Sequence, residues 1–128
     1  MSTALAFDTL VFASPMPGLE SADGFSLREV PGAQGLYALE VSEPRVRMFV
    51  ADAAVYAPDY APGIPAAALE ALGLASVSEL TVLVVVNPTP EKTTVNLMAP
   101  ILLNPVDGSC LQVILDGAKY PLRAELAR

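Results

Sequence analysis

Asn96, Pro100, Asn104, Gln112, Tyr120 and Arg123 stand at intervals among apolar residues in the stretch TTVNLMAPILLNPVDGSCLQVILDGAKYPLR, which runs from Thr93 to Arg123. Amide, phenol and guanidinium groups spaced in this way are strong hydrogen-bonding groups that no ordinary apolar core specifies. Their chemistry is recognition of another surface rather than bond making. Two Asp-Gly pairs, Asp107-Gly108 and Asp116-Gly117, mark reversals of the chain within the stretch.

Catalytic chemistry finds little support elsewhere. With no histidine and one cysteine, the chain lacks the usual nucleophile and base pairs and the ligand sets of transition-metal centres. Cys110 opens an apolar strand without an imidazole to activate it, so it reads as a packing residue, with a reactive thiol as the alternative. Glu40 with Glu43, or Asp52 with Asp59, would serve acid–base chemistry only if burial drove their pKa values apart; turn and surface roles account for them more simply. Asp59 lies in the run Ala57-Pro58-Asp59-Tyr60-Ala61-Pro62, where it can accept hydrogen bonds from nearby backbone and order the loop. No glycine-rich turn has phosphate-loop or dinucleotide spacing. The expectation is therefore no enzyme and no cofactor. A small barrel holding a flavin or another small ligand through scattered groups is the alternative, and the colour of the purified protein separates the two.

The 128 residues are read as one domain, 1–128, long enough to bury about two thirds of the unfolded surface without disulfides or metal. A lone cysteine fits a reducing compartment, and the opening MSTALAFDTLVFASP has no basic leader and carries Asp8 inside its apolar run. A cytoplasmic protein is expected, with no membrane association, since the apolar run Val82 to Val86 falls far short of the ~20 residues of a membrane-spanning helix. Seven basic against fourteen acidic residues give a net charge of −7. With no cluster of Lys or Arg to neutralise phosphates, the composition argues against direct nucleic-acid binding. The same charge serves solubility or attraction to a basic protein. A mean hydropathy of +0.49 reflects an Ala- and Val-rich core or apolar surface left open to a partner.

The elements that must position these groups are mostly strands. Ala4 to Phe12 and Phe25 to Val30 read as strands joined through PMPGLESADG, and Gly35 to Val41 with Val46 to Ala51 as a hairpin about Ser42-Glu43-Pro44-Arg45. In its second arm Val46, Met48 and Val50 alternate with Arg45, Arg47 and Ala51, one side for the core and one for water, with Phe49 interrupting the polar side. Ile64 to Leu74 reads as a helix, opened by Pro65 and ended by Gly73, with Ile64, Ala68, Leu69 and Leu72 on its buried face. Leu80 to Val86, apolar on both alternations, is the expected central strand. Thr94 to Leu103, Cys110 to Leu115 and Lys119 to Glu125 are expected to form an antiparallel meander, with Tyr120 and Leu122 on one side of its last strand. The fold class is thus all-β, mainly antiparallel: a small β-barrel-like or curled-sheet domain of about eight strands with one or two short helices.

Four motifs in order carry a family resemblance over nearly the whole chain. Pro17-Gly18-Leu19-Glu20, Val50-Ala51-Asp52, Pro58-Asp59-Tyr60, and the series Thr94-Val95-Asn96-Leu97, Ala99-Pro100-Ile101 and Gln112-Val113 with Tyr120 and Arg123 strongly resemble the flagellar assembly factor FliW family. The chain departs from the family pattern at Leu19, where an aromatic is usual, at Ala53, where proline is usual, and at Leu36-Tyr37-Ala38-Leu39, where a Trp-containing strand is expected. The resemblance implies a β-barrel-like protein that binds flagellin and also binds and antagonises CsrA, the translational repressor of flagellin mRNA. Accumulated flagellin would occupy the protein and leave CsrA free to repress; export would release it. A monomer is expected when free.

The binding surface expected on this reading is Asp59, Tyr60, Asn96, Asn104, Gln112 and Arg123, polar groups able to hydrogen-bond together with an anchoring tyrosine. The competing role for Asn96 and Asn104 is to satisfy backbone groups at sheet edges or bulges. Pro100 marks an edge or bulge on either view, and Tyr120 is expected to pack its ring inward.

Overall fold

The computed structural model describes residues 6–12, 23–43, 46–56, 60, 63–76, 79–88, 93–115 and 124–125. Among these residues there are nine strands: β1 (Ala6–Phe12), β2 (Asp23–Glu29), β3 (Leu36–Glu43), β4 (Val46–Asp52), β5 (Thr81–Pro88), β6 (Thr93–Val95), β7 (Ile101–Leu103), β8 (Ser109–Gln112) and β9 (Ala124–Glu125). Two short helices, α1 (Ala53–Tyr56) and α2 (Ala66–Ala71), sit between β4 and β5.

The strand order is β4-β3-β2-β1-β8-β7-β5-β6-β9, and a further β4–β5 pairing joins the sheet to itself. Seven strands, β1 to β5 with β7 and β8, therefore form a closed barrel, while β6 and β9 branch from it. Closure removes the unpaired edges that an open sheet would present. All pairings are antiparallel except β1–β8, where Val11 meets Ser109 and Phe12 meets Cys110. One extra residue in β1 between Phe7 and Leu10 shifts its register against β2, a bulge of the kind that bends a strand into a barrel wall.

Alternation along the strands sorts side chains into an inner core and an outer layer. Leu10, Phe25, Leu27, Tyr37, Leu39, Val41, Val50, Leu83, Ile101, Leu103 and Cys110 fill the barrel, with Val46 and Met48 packed against them. On β5, Leu83 and Val85 point into that core, whereas Val84 and Val86 join the outer cluster under α1 and Val82 reaches the cluster under α2. This is why the strand is apolar on both alternations: it is covered on both faces. The expected hairpin of β3 and β4 forms, and its register pairs Val41 with Val46 and Leu39 with Met48. Phe49, which breaks the polar alternation, lies beneath the Arg47 guanidinium, 5.2 Å from its ring centroid.

The helix α2 is shorter than Ile64 to Leu74. Pro65 caps it in extended conformation, and the chain leaves through Gly73 at φ +71 with Gly73 N donating to Glu70 O and Leu74 N to Leu69 O. That paired closure is a Schellman motif, which requires the left-handed residue glycine tolerates. Ala68 and Leu72 are buried on Leu102 with Ile64 alongside; Leu69 is only half-buried.

The expected strand from Thr94 to Leu103 is corrected: β6 and β7 are separate, and residues 96 to 100 are irregular. Asn96 captures the amides that a ladder would need, and Pro100 has none. The expected three-strand meander is corrected with it. Of the segments expected to form it, only β7 and β8 pair in the expected succession; β6 lies between β5 and β9. The regular part of β8 spans Ser109–Gln112, although hydrogen bonds from Val113 and Leu115 carry its alignment further. Asp116-Gly117, Lys119, Tyr120 and Leu122 lie outside the described residues.

Candidate interaction surface

Residues 96 to 100 form a backbone segment whose polar groups are held from three directions. Asn96 N donates to Val85 O at 2.9 Å, which ties the segment to the central strand. The Asn96 side-chain oxygen then accepts from Met98 N at 3.0 Å and Ala99 N at 3.1 Å, the local capture for which a short amide side chain is suited. Four successive carbonyls are also engaged. Tyr60 donates its hydroxyl to Leu97 O, Leu115 N donates to Met98 O at 2.6 Å, the Gln112 side-chain amide donates to Ala99 O at 3.1 Å, and Val113 N donates to Pro100 O at 3.1 Å.

Tyr60, Asn96 and Gln112, residues 36 and 16 positions apart along the chain, thus converge on one loop. Each is half-buried, and Ala99 and Pro100 beneath them are buried. The tyrosine ring packs in the outer cluster with Leu97, Val84 and Val95. Chemically the arrangement is a braced edge: its backbone is satisfied internally, so the loop presents a fixed shape rather than free donors and acceptors. Ile114, with 68% of its surface exposed, lies between the two residues whose amides pair with this loop.

Asn104 belongs elsewhere. It is 6% exposed; its side-chain nitrogen donates to Leu72 O at 2.9 Å and its oxygen accepts from Val106 N at 3.0 Å. Its backbone closes the turn, with Asn104 N donating to Ser109 O and Gly108 N to Asn104 O. One residue therefore fastens the end of α2 to the β7–β8 turn, and both polar atoms of its side chain are engaged within the chain. Asp59 and Arg123 lie outside the described residues.

The other sequence-marked groups have local tasks. Asp52 accepts from Ala54 N at 3.0 Å at the start of α1. Asp107 accepts from the backbone and the hydroxyl of Ser109, bonds that hold its carboxyl below the ordinary range. Cys110 is buried, and burial alone pushes its thiol up to about 12. Among the described residues no three acidic or cysteine side chains gather as metal ligands, and no described helix is long and apolar enough to cross a membrane.

Sequence reasoning missed the anchoring of the β2–β3 turn. Tyr56 donates its hydroxyl to Gln34 O at 3.0 Å, Asp52 N donates to Gly35 O at 2.8 Å, and Gly35 N donates to Glu29 Oε2 at 3.3 Å. Gly35 was the available signal: its φ is +84, and a Cβ there would stand 3.1 Å from Val55.

The chain and its barrel have counterparts among known proteins. The model of the family described as FliW protein matches residues 3–126. The chain belongs to the FliW family. It is 36% identical to the flagellar assembly factor FliW of Thermotoga neapolitana over 88% of this chain and 78% of that protein. Against the FliW of Symbiobacterium thermophilum the identity is 33%, over 90% of this chain and 86% of the relative. A crystal structure of the flagellar assembly factor FliW superposes with a TM-score of 0.80 at 23% identity, covering 92% of this chain and 84% of the other. That likeness shows the fold, so the seven-strand barrel with two short helices is the FliW architecture. Asn96 and Gln112, on which the resemblance in the sequence was drawn, are residues that hold the 96–100 loop.

Proposed function

We propose that the protein is a flagellar assembly factor that binds flagellin and the translational repressor CsrA, and that it antagonises CsrA so that flagellin synthesis follows flagellin export. The observation that carries this reading is the family relationship across residues 3–126. On this reading the protein works by partner exchange and performs no catalysis, in the cytoplasm, as a single 1–128 domain that is monomeric when free. The net charge of −7 supports the CsrA arm, because an acidic protein attracts a basic RNA-binding one and speeds the encounter. The contact surface we assign is the 96–100 loop with Tyr60, Asn96 and Gln112, together with Asp59 and Arg123. Asn104 enters as a support for the frame rather than as a contact.

Calorimetric titration with the flagellin and, separately, the CsrA of the same organism tests the proposal. Saturable binding of both is expected, with the CsrA affinity falling as salt is raised. Binding of flagellin alone would remove the translational arm, and binding of neither would overturn the proposal. Alanine at Tyr60, Asn96 or Gln112 should weaken binding by folded protein; parental affinity in all three would overturn the surface assignment.

A further inference from the structure

The turn between β7 and β8 holds the Asp107-Gly108 pair, and such a pair has a reaction of its own. The glycine amide nitrogen can attack the side-chain carbonyl carbon of the aspartate, and glycine presents no Cβ to shield that nitrogen. A bond forms from nitrogen to Cγ, the Cγ hydroxyl leaves with the amide proton as water, and a succinimide ring results. Water then adds to either ring carbonyl and breaks its bond to nitrogen. One opening restores aspartate. The other leaves isoaspartate, in which the main chain runs through Cβ and Cγ and is longer by a carbon. The ring-closing step needs a neutral carboxyl, an amide able to give up its proton and a peptide free to rotate toward Cγ.

The folded turn opposes all three. Ser109 donates its backbone amide to Asp107 Oδ1 at 2.9 Å and its hydroxyl to the same oxygen at 2.7 Å. The amide first and the hydroxyl second favour the anionic carboxylate. Gly108 N donates to Asn104 O at 3.0 Å, which holds both the amide proton and the orientation of the peptide. Gly108 O accepts from Val11 N on β1 at 3.1 Å. The glycine is thus pinned on both sides, in the left-handed backbone at φ +81. Gly108 is buried whereas Asp107 is exposed, so water is at hand for the ring-opening step as soon as the turn loosens.

We propose that residues 104–109 form a guarded isomerisation site: Asp107-Gly108 converts to isoaspartate only from the open turn, and Ser109 and Asn104 hold that turn closed in the folded protein. Conversion reaches beyond the turn. The inserted carbon carries Gly108 N away from Asn104 O, and the Asp107 oxygen that Ser109 bonds is no longer a free carboxylate oxygen. The same Asn104 ties the end of α2 through Leu72 O, so isoaspartate at 107 loosens the fastening of the helix as well. The site depends on neither flagellin nor CsrA binding.

The test is an ageing experiment on the full chain, incubated near neutral pH both folded and in urea above its unfolding midpoint. Isoaspartate at Asp107 and at Asp116 is read by digestion with an endoproteinase that cuts before aspartate but not before isoaspartate, with synthetic isoaspartyl peptides as chromatographic standards. In urea both pairs should convert. In the folded protein conversion at Asp107 should slow by at least about tenfold, because the open turn is a minority state. Folded Ser109→Ala should convert about threefold faster at Asp107, the size of one exposed hydrogen bond, with the rate at Asp116 unchanged. Ser109→Thr keeps both donors and should match the parent. Conversion at Asp107 as fast in the folded parent as in urea, which requires no variant, would overturn the proposal. So would a parental rate in Ser109→Ala, or an equal acceleration at Asp107 and Asp116 in that variant, which would mark general loosening instead of a local guard.

Discussion

Replacing Asn104 by alanine removes two bonds at once: the donor to Leu72 O and the acceptor of Val106 N. Each such bond contributes about 0.5–1.5 kcal/mol net, and a buried carbonyl left without its donor costs about 1–3 kcal/mol. Leu72 is only 2% exposed, so water reaches its carbonyl poorly and the cost of leaving that carbonyl unpaired dominates. The expected loss is about 2–4 kcal/mol, a substantial part of the 5–15 kcal/mol typical of a domain. Urea unfolding followed by circular dichroism should show a lower midpoint at unchanged slope, and melting should fall by roughly 10 °C for a chain of this length. Asn104→Asp refines the test, because it keeps the acceptor for Val106 N and turns an anionic oxygen toward the Leu72 carbonyl. Desolvation and that carbonyl raise the carboxyl's folded pKa above its unfolded value of about 3.9. The deficit relative to the parent is then smallest below the unfolded pKa, where a protonated oxygen can donate, and grows as pH rises through the folded one. A loss below about 1 kcal/mol in the alanine variant, or a deficit of Asn104→Asp that is the same at acid and neutral pH, would refute the assignment. Where either variant is folded, it should bind flagellin and CsrA as the parent does.

Three further outcomes are expected. Gly35→Ala should cost about 1–3 kcal/mol from its left-handed backbone and more than Gly32→Ala, since a Cβ at 35 meets the Cβ and both Cγ atoms of Val55 at 3.1 Å and one at 32 meets nothing; in a Val55→Ala background, which removes the two Cγ contacts and keeps the Cβ one, the difference between the two costs should narrow in denaturant titrations without vanishing. Cys110, fully buried with its thiol pushed up to about 12, should resist a thiol reagent at pH 8 and label fully in denaturant; the stability owed to its neutral form holds below the ordinary thiol pKa and is lost as pH climbs toward that raised value. Tyr60→Phe should lose about 1 kcal/mol with its ring packing kept, whereas Asn96→Ala should speed hydrogen exchange at the Met98 and Ala99 amides, which exchange at parental rates only if the side-chain capture is wrong.

Local rules made several parts of this protein legible in the residues alone. The hairpin about residues 42–45 follows from a short polar segment with proline and from alternation on its second arm, and the end of α2 from Gly73. The packing role of Cys110 follows from its apolar strand and the missing histidine, and the two-sided burial of β5 from an unbroken apolar run. The family likeness was legible too, because motif order survives where overall identity is modest. None of these inferences needed a distant residue.

What tertiary structure decided is which groups meet. Barrel closure depends on β4 reaching β5 and on β1 lying parallel to β8, pairings between segments far apart in sequence that no local pattern encodes. Thr94 to Leu103 reads as one strand because its apolar residues permit one; it divides because the Asn96 side chain takes two amides and Pro100 has none. The roles of Asn104, Gln112 and Tyr60 were equally hidden. A polar side chain among apolar neighbours satisfies either a partner or the protein's own backbone, and only the folded chain brings the Leu72, Ala99 and Leu97 carbonyls within reach.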